Sequence, residues 1–355
     1  MTLTILNVAY PFARVGPNAV GGAEQIVSHI DRGLVLAGHN SLVVAAEGSE
    51  VKGRLLPVPH VDGLLDRRAL EAGRQRHRAA IAVALRRWSI DIVHLHGVDF
   101  DQYIPSPGTR SLVTLHLPSS WYPADVLARP HRDLWLHCVS KTQHESCPSH
   151  RGMLSPIANG VPVEELSARH ARRRFALTLG RICPEKGTHL ALDAARRAGF
   201  ALLLAGAVFP YPAHECYFQE EVQPRLDHAR RFIGAVDFAR KRRLLSAARC
   251  LIVPSLVEET SSLVAMEALA CGTPVIGFRR GALPEIIEDG KTGFLVCKPE
   301  ELVDALKAVH RIDSATCRVA ARRRFSHTIM VAQYIERYRL LAAMSCSAVD
   351  TETIS

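Results

Sequence analysis

Short apolar runs alternate with amphipathic stretches along almost the whole chain. In the first half the runs fall at residues 4–9, 41–45, 90–96, 111–116 and 134–140. In the second half they fall at 175–179, 200–205, 231–234, 250–253, 274–278 and 293–296. Most are rich in Leu, Val, Ile or Ala without a strict polar alternation, which predicts strands covered on both faces. Segments at 66–88, 188–197, 237–248 and 300–310 carry the helical period. Strand and helix in regular succession predict an α/β protein built from two doubly wound, Rossmann-like parallel sheets. The stretch "ANGVPVEELSARHARRR", residues 158–174, combines turn residues with a basic run and marks the join. The expected domains are therefore 1–165, 166–325 and a closing segment 326–355. In the last, a helix over about 326–343 packs back toward the N-terminal domain and a polar, disordered tail follows. Ligands of such sheets bind beyond the carboxyl ends of the strands, so the expected site is a cleft that the two domains face.

Composition narrows the classes. The chain has 355 residues, 48% of them apolar and 22% charged, which suits packed domains. Its net charge is +9, which favours an anionic ligand such as a nucleotide or phosphate. The basic residues are spread along the chain without a dominant tail, no nucleic-acid signature stands out and aromatics are 6%, so nucleic acid is not an expected partner. Nine cysteines without a Cys-x-x-Cys pair read as reduced thiols of a cytoplasmic protein. The opening "MTLTILNVAYPF" reads as a first strand rather than a signal peptide.

Four motifs fall at predicted strand ends. "VGPNAVGGAEQIV" places Gly21 and Gly22 where the chain turns into a helix, and this frees backbone amides for an anion. It lacks the G-x-G-x-x-G dinucleotide spacing. His116 closes the run in "SLVTLHLPSS"; a hydrogen-bonded loop histidine is the alternative. "TLGRICPEKG" sets Arg181 and Lys186 on the loop after a strand, two cations suited to a diphosphate. A solvated basic loop is its alternative. The fourth stretch, "CLIVPSLVEETSSLVAMEALACG", reads as strand, loop and helix, with Ser261 or Ser262 as N-cap and Gly272 as stop. Glu259 precedes the helix. Glu267 lies inside it, where an acid needs a polar partner; sugar hydroxyls suit, and a neighbouring arginine is the alternative.

Taken together, "GGAE", "GRICPEKG", "NGVP", the Glu259-x7-Glu267 spacing and "ALACGTPVIGFRRGALPEIIEDGKTGFLV" resemble the retaining glycosyltransferases of family 4, with the GT-B fold. The resemblance covers nearly the whole chain and is most specific over 250–297. It implies transfer of a sugar, with retention, from a nucleotide-sugar donor, a UDP- or GDP-sugar, to a small-molecule, glycan or lipid-linked acceptor. No metal and no resident cofactor are implied. By the same resemblance Arg181 and Lys186 hold the diphosphate, and the amides around Ser261, Ser262 and Leu263 add to them. Glu267 binds the ribose, Glu259 the donor sugar, and backbone near 234–236 the base. His116 lies near the anomeric carbon, and Gly22 approaches the donor from the N-terminal domain. The sequence departs from the family pattern twice. Thr260, Ser261 and Ser262 replace Pro-Phe-Gly, and Leu117 replaces an aspartate after His116.

Rival readings are another GT-B enzyme, such as a nucleotide-sugar epimerase, and a non-catalytic glycosyltransferase-like protein. Asp99 and Asp101 form a D-x-D, for which an acceptor contact or an exposed loop is expected rather than a metal. The arginines of "DRRALEAGRQRHRAAIAVALRRW" are expected on a solvated helix face, with peripheral contact to the inner membrane face as the alternative.

Overall fold

A computed structural model describes residues 2–59, 66–128, 132–167 and 170–344. The polar tail expected after 343 falls, from 345 on, outside these residues. The chain forms two compact units. The first takes Met1–Cys138, Cys147–Ile157 and the chain from Val331; the second takes Val139–Ser146 and Ala158–Met330. The crossings between units thus fall at 138/139, 146/147, 157/158 and 330/331, against the expected 165 and 325.

The strands of the first unit are β1 (Thr4–Val8), β2 (Asn40–Ala46), β3 (Arg54–Val58), β4 (Ile92–Leu95), β5 (Ser111–Leu115), β6 (Leu134–Cys138) and β7 (Met153–Leu154). They form one parallel sheet in the order β3-β2-β1-β4-β5-β6-β7. Those of the second are β8 (Phe175–Leu179), β9 (Ala201–Ala205), β10 (Arg230–Phe232), β11 (Cys250–Val253), β12 (Val275–Phe278) and β13 (Gly293–Val296). They form a parallel sheet in the order β10-β9-β8-β11-β12-β13. Both orders reverse direction once, between β1 and β4 and between β8 and β11. These are the two switch points, where loops diverge and leave a crevice.

The unbroken apolar runs follow from burial on both faces. In β11, Cys250 and Ile252 enter one core with Ala176, Leu202 and Ile276. Leu251 and Val253 enter the other with Leu177, Val275 and the helix Leu263–Ala270. Two strands escaped the sequence reading. β3 lies at the sheet edge, fully buries only Val58 and carries an exposed Pro57, so it lacks the pattern of a buried strand. β7 has two residues, too few to show a period.

The basic stretch folds as the helix Arg67–Arg87, capped by Asp66, whose carboxylate accepts from Ala69 N. His77, Ile81 and Ala84 are buried, while Leu70, Leu85 and Trp88 are half-buried. Its polar face is not only solvated. Arg74 Nε meets Asp99 Oδ2 at 2.9 Å, and Arg78 bonds Glu71 and the Gln102 carbonyl. No helix among the described residues is long and apolar enough to cross a membrane. The C-terminal helix is His327–Ala343, and its part from Val331 on belongs to the first unit.

Candidate active site

In the second unit, the loops leaving β8 and β11 sit at the switch point and bring together most of the residues singled out above. After β8 the chain runs through Gly180 and Arg181 into a 3-10 turn, Pro184–Lys186. Gly187 ends the turn at φ 58°, and a Cβ there would stand 2.3 Å from the Pro254 carbonyl. The β8 loop is thus pressed against the start of the β11 loop. Lys186 Nζ lies 2.6 Å from Glu259 Oε1, and the Ser255 hydroxyl donates to the same oxygen at 2.6 Å. Glu259 is fixed from the other side by Gly281, whose Cβ would fall 2.5 Å from the Glu259 carbonyl; that carbonyl accepts from Ala282 N at 2.7 Å. Arg181 is exposed.

The helix Leu263–Ala270 begins within this group. Ser262 occupies the N-cap position but makes no side-chain capping bond. Ser261 Oγ is buried and meets no partner among the described residues. No protein acceptor takes the N–H groups of Ser262, Leu263 or Val264 among those residues. A helix start with open amides and an unsatisfied hydroxyl has the chemistry to hold an anion. Glu267, one turn further, is 3% exposed and pairs with Lys241 Nζ at 2.5 Å. Lys241 comes from the helix Phe238–Ala247. Where sugar hydroxyls or an arginine are expected for Glu267, the partner within the protein is a lysine.

In the first unit, Gly21 and Gly22 start the helix Gly22–Leu36. The turn is not an open anion cradle. A Cβ on Gly21 would lie 1.8 Å from Glu24 Oε2, because the Glu24 carboxyl folds back over the turn. Glu24 is 7% exposed and burial raises its pKa. Its carboxyl fills the place expected for a foreign anion.

His116 follows β5 and is half-buried. It belongs to a cluster of four histidines from adjacent strands. His94 and His96 come from β4 and its end, and His137 from β6. His137 Nδ1 donates to the Cys138 carbonyl at 3.0 Å, so its Nε2 is an acceptor. The Thr114 hydroxyl donates to that nitrogen at 2.7 Å. Thr114 Oγ1 then accepts from His94 Nε2–H at 2.7 Å, and His94 Nδ1 accepts from the Tyr338 hydroxyl at 2.6 Å. Burial holds His94 and His96 well below the usual imidazole range and pulls His116 and His137 down to about 3. The cluster is neutral at physiological pH.

Of the two expectations for the D-x-D, an acceptor contact or an exposed loop, the exposed loop does not hold at Asp99. That residue is 7% exposed, and Arg74 and the Tyr103 hydroxyl take its two oxygens at 2.9 and 3.0 Å. The Asp101 carboxylate accepts from Gln102 Nε2. Among the described residues, one set has metal-ligand spacing. Cys183, Glu185 and His214 each offer an atom within 4.8 Å of the other two. The cysteines among the described residues are free thiols, with Cys138 and Cys147 Sγ 3.6 Å apart. The residues that pattern reading missed are Lys241, Ser255, His96 and Gly281. Only the "HLH" at 94–96, a doubled histidine on a strand end, carried a visible signal.

Residues 173–311 match the family model described as "Glycosyl transferases group 1". The phosphatidyl-myo-inositol mannosyltransferase of Mycobacterium leprae is 24% identical over 374 residues, which span 91% of this chain and 94% of that protein. The solved structure of AviGT4, a glycosyltransferase involved in avilamycin A biosynthesis, superposes with a TM-score of 0.72 at 25% identity. It covers 96% of this chain and 99% of its own. HepE of Anabaena in complex with UDP-glucose gives a TM-score of 0.73 at 17% identity, covering 95% and 100%.

Proposed function

Because this chain is a group 1 glycosyltransferase of the GT-B fold, we propose that it takes a hexosyl group from a UDP- or GDP-sugar. It passes the sugar, with retention and without a metal, to a small-molecule, glycan or lipid-linked acceptor. The observation that carries this reading is the convergence of Lys186, Glu259 and the open start of the Leu263–Ala270 helix at the β8/β11 switch point. HepE, which shares the fold, holds UDP-glucose and supports the donor class.

In this reading the diphosphate lies on the amides of Ser262 and Leu263, with Arg181 and Lys186 as counter-charges and Ser261 Oγ as a further contact. As the glycosyl–phosphate bond breaks, charge grows on the diphosphate. Preorganised cations and N–H groups stabilise it more than they stabilise the intact donor, which lowers the barrier. Glu259 binds a donor-sugar hydroxyl with its second oxygen and keeps Lys186 in place with the first. Glu267 meets the ribose hydroxyls while Lys241 balances its charge. The acceptor proton leaves through a phosphate oxygen, so the pair of carboxylates used by glycosidases is not needed. His116 and Gly22 serve the sugar end of the donor. Cys183, Glu185 and His214 take no part, and the protein acts as a transferase in the cytoplasm, free or at the inner membrane face.

A thermal-shift panel of UDP-, GDP-, ADP- and dTDP-sugars tests the donor. One class raises Tm by several degrees, and Lys186→Ala removes most of that shift. EDTA leaves it unchanged. No stabilisation by any nucleotide sugar, or full stabilisation of the Lys186→Ala variant, defeats the proposal.

A further inference from the structure

We infer that His96 is a positioning residue for His116: its Nδ1–H, donated to His116 Nε2, fixes the tautomer and plane of the second ring. The role of His116 itself rests on the function proposed above.

The two nitrogens are 3.0 Å apart, and the rings lie nearly parallel, 24° apart with centroids at 5.4 Å. The bond has two polarities. If His116 Nε2–H were the donor, neutral His96 would carry its proton on Nε2. That atom is buried and has no partner among the described residues. An orphaned buried N–H is rarer and costlier than an orphaned lone pair. The favoured polarity therefore runs from His96 Nδ1–H to His116 Nε2, and it places the proton of neutral His116 on Nδ1.

His96 is itself held. It is 2% exposed, and its ring centroid lies 3.9 Å from that of His94. His94 is locked by the directed chain from Tyr338 through Thr114 to His137. His96 stands just past the end of β4, at the first unit's switch point, and His116 just past the end of the neighbouring β5.

Protonating His116 on Nε2 would set two N–H groups against each other across this bond. The tie keeps His116 from serving as a base through Nε2 and leaves it a neutral ring of fixed orientation. The titratable groups around the pair are His94 on β4, His137 on β6, Tyr122 after β5, Tyr334 and Tyr338 on the C-terminal helix, and Arg337, whose charge acts on His137. The histidines among them favour a neutral His116 by the same burial.

Long-range 1H–15N spectra of ring-labelled histidine in the full chain test the inference directly. In the wild type His116 shows an unprotonated Nε2 and stays neutral below pH 5. His96→Asn, whose amide can replace the Nδ1–H donor, keeps that tautomer. His96→Ala raises the His116 pKa toward that of free imidazole and mixes the tautomers. Turnover follows: hydrolysis of UDP-glucose and GDP-mannose slows by roughly tenfold in His96→Ala, with Asn restoring most of it, as loss of orientation predicts. A protonated Nε2 in the wild type overturns the inference, and that measurement needs no variant to fold. So does an unchanged His116 titration in His96→Ala. Full hydrolysis by His116→Ala would instead overturn the role of His116, and the spectra would still judge the bond.

Discussion

A carboxylate inside an apolar helix must be answered by a cation or by ligand hydroxyls, and at Glu267 the cation is Lys241. The pair is nearly dry, with side chains 4% and 13% exposed. Removing one partner of such a pair leaves the other buried and uncompensated, typically at about 3–5 kcal/mol. Lys241→Met should therefore lower the urea midpoint at neutral pH and also weaken nucleotide-sugar binding seen by calorimetry, because the Glu267 carboxylate loses its anchor. Unchanged affinity in a folded Lys241→Met protein would leave Glu267 with a structural role only. The acid was legible in the sequence and its partner was not. Lys241 lies 26 residues away on a different helix, and no periodicity links the two. Ser255 and Gly281 are the same kind of case. Each is an ordinary turn residue until the fold sets it against Glu259.

At the scale of elements, the long buried strands and helices were legible because burial on both faces leaves a continuous apolar run. β8, β11 and β13 and the helix Thr188–Arg197 have the bounds that pattern alone predicts. The edge strands β3 and β7 were not legible, since β3 is broken by exposed Arg54 and Pro57 and β7 has only two residues. The C-terminal helix illustrates a contribution that sequence hides. Tyr338 looks like one more aromatic on a helix, yet its hydroxyl begins the hydrogen-bond chain that ends at the Cys138 carbonyl. Tyr338→Phe keeps the packing and deletes one donor, leaving His94 Nδ1 buried without a partner. The expected loss is roughly 1–3 kcal/mol in denaturant unfolding. Amide exchange should rise along the helix and in β4. A neutral Tyr338→Phe substitution would show that the chain contributes nothing net.

For the whole molecule, the two units should differ in acid. His77 is held at about 4 and His137 at about 3 because burial disfavours the imidazolium. The folded pKa lies below the unfolded value of 6.5, so the unfolded chain binds the proton first as pH falls. The stability from a neutral buried histidine is fully present above pH 6.5 and is lost progressively down to the folded pKa. At pH 5 the loss is about 2 kcal/mol for each of these two fully buried groups. His94 and His96 act in the same direction. All four lie in the first unit. Hydrogen exchange at pH 7 and pH 5 should show β4, β5 and β6 losing protection before β8, β9 and β11. Simultaneous loss in both sheets would refute the assignment.

The linear string carried the fold class and the family resemblance, and it marked Arg181, Lys186, Glu259 and Glu267 as candidates. Hydrophobic period and strand-end chemistry are local properties, and they survive in a linear string. It placed Arg181 and Lys186 on the loop after one strand, and Glu259 with the helix after Ser262 on the loop after another, because each set follows its strand directly. Which residue partners which came from the packed fold. The fold joined Lys186 to Glu259, Lys241 to Glu267 and His96 to His116 across 73, 26 and 20 residues of chain. It laid Glu24 over the Gly21 turn and turned Asp99 inward to Arg74. Those outcomes depend on which strands become neighbours and which loops are pressed together at a switch point. That is a property of the packed sheet order, which no local pattern encodes.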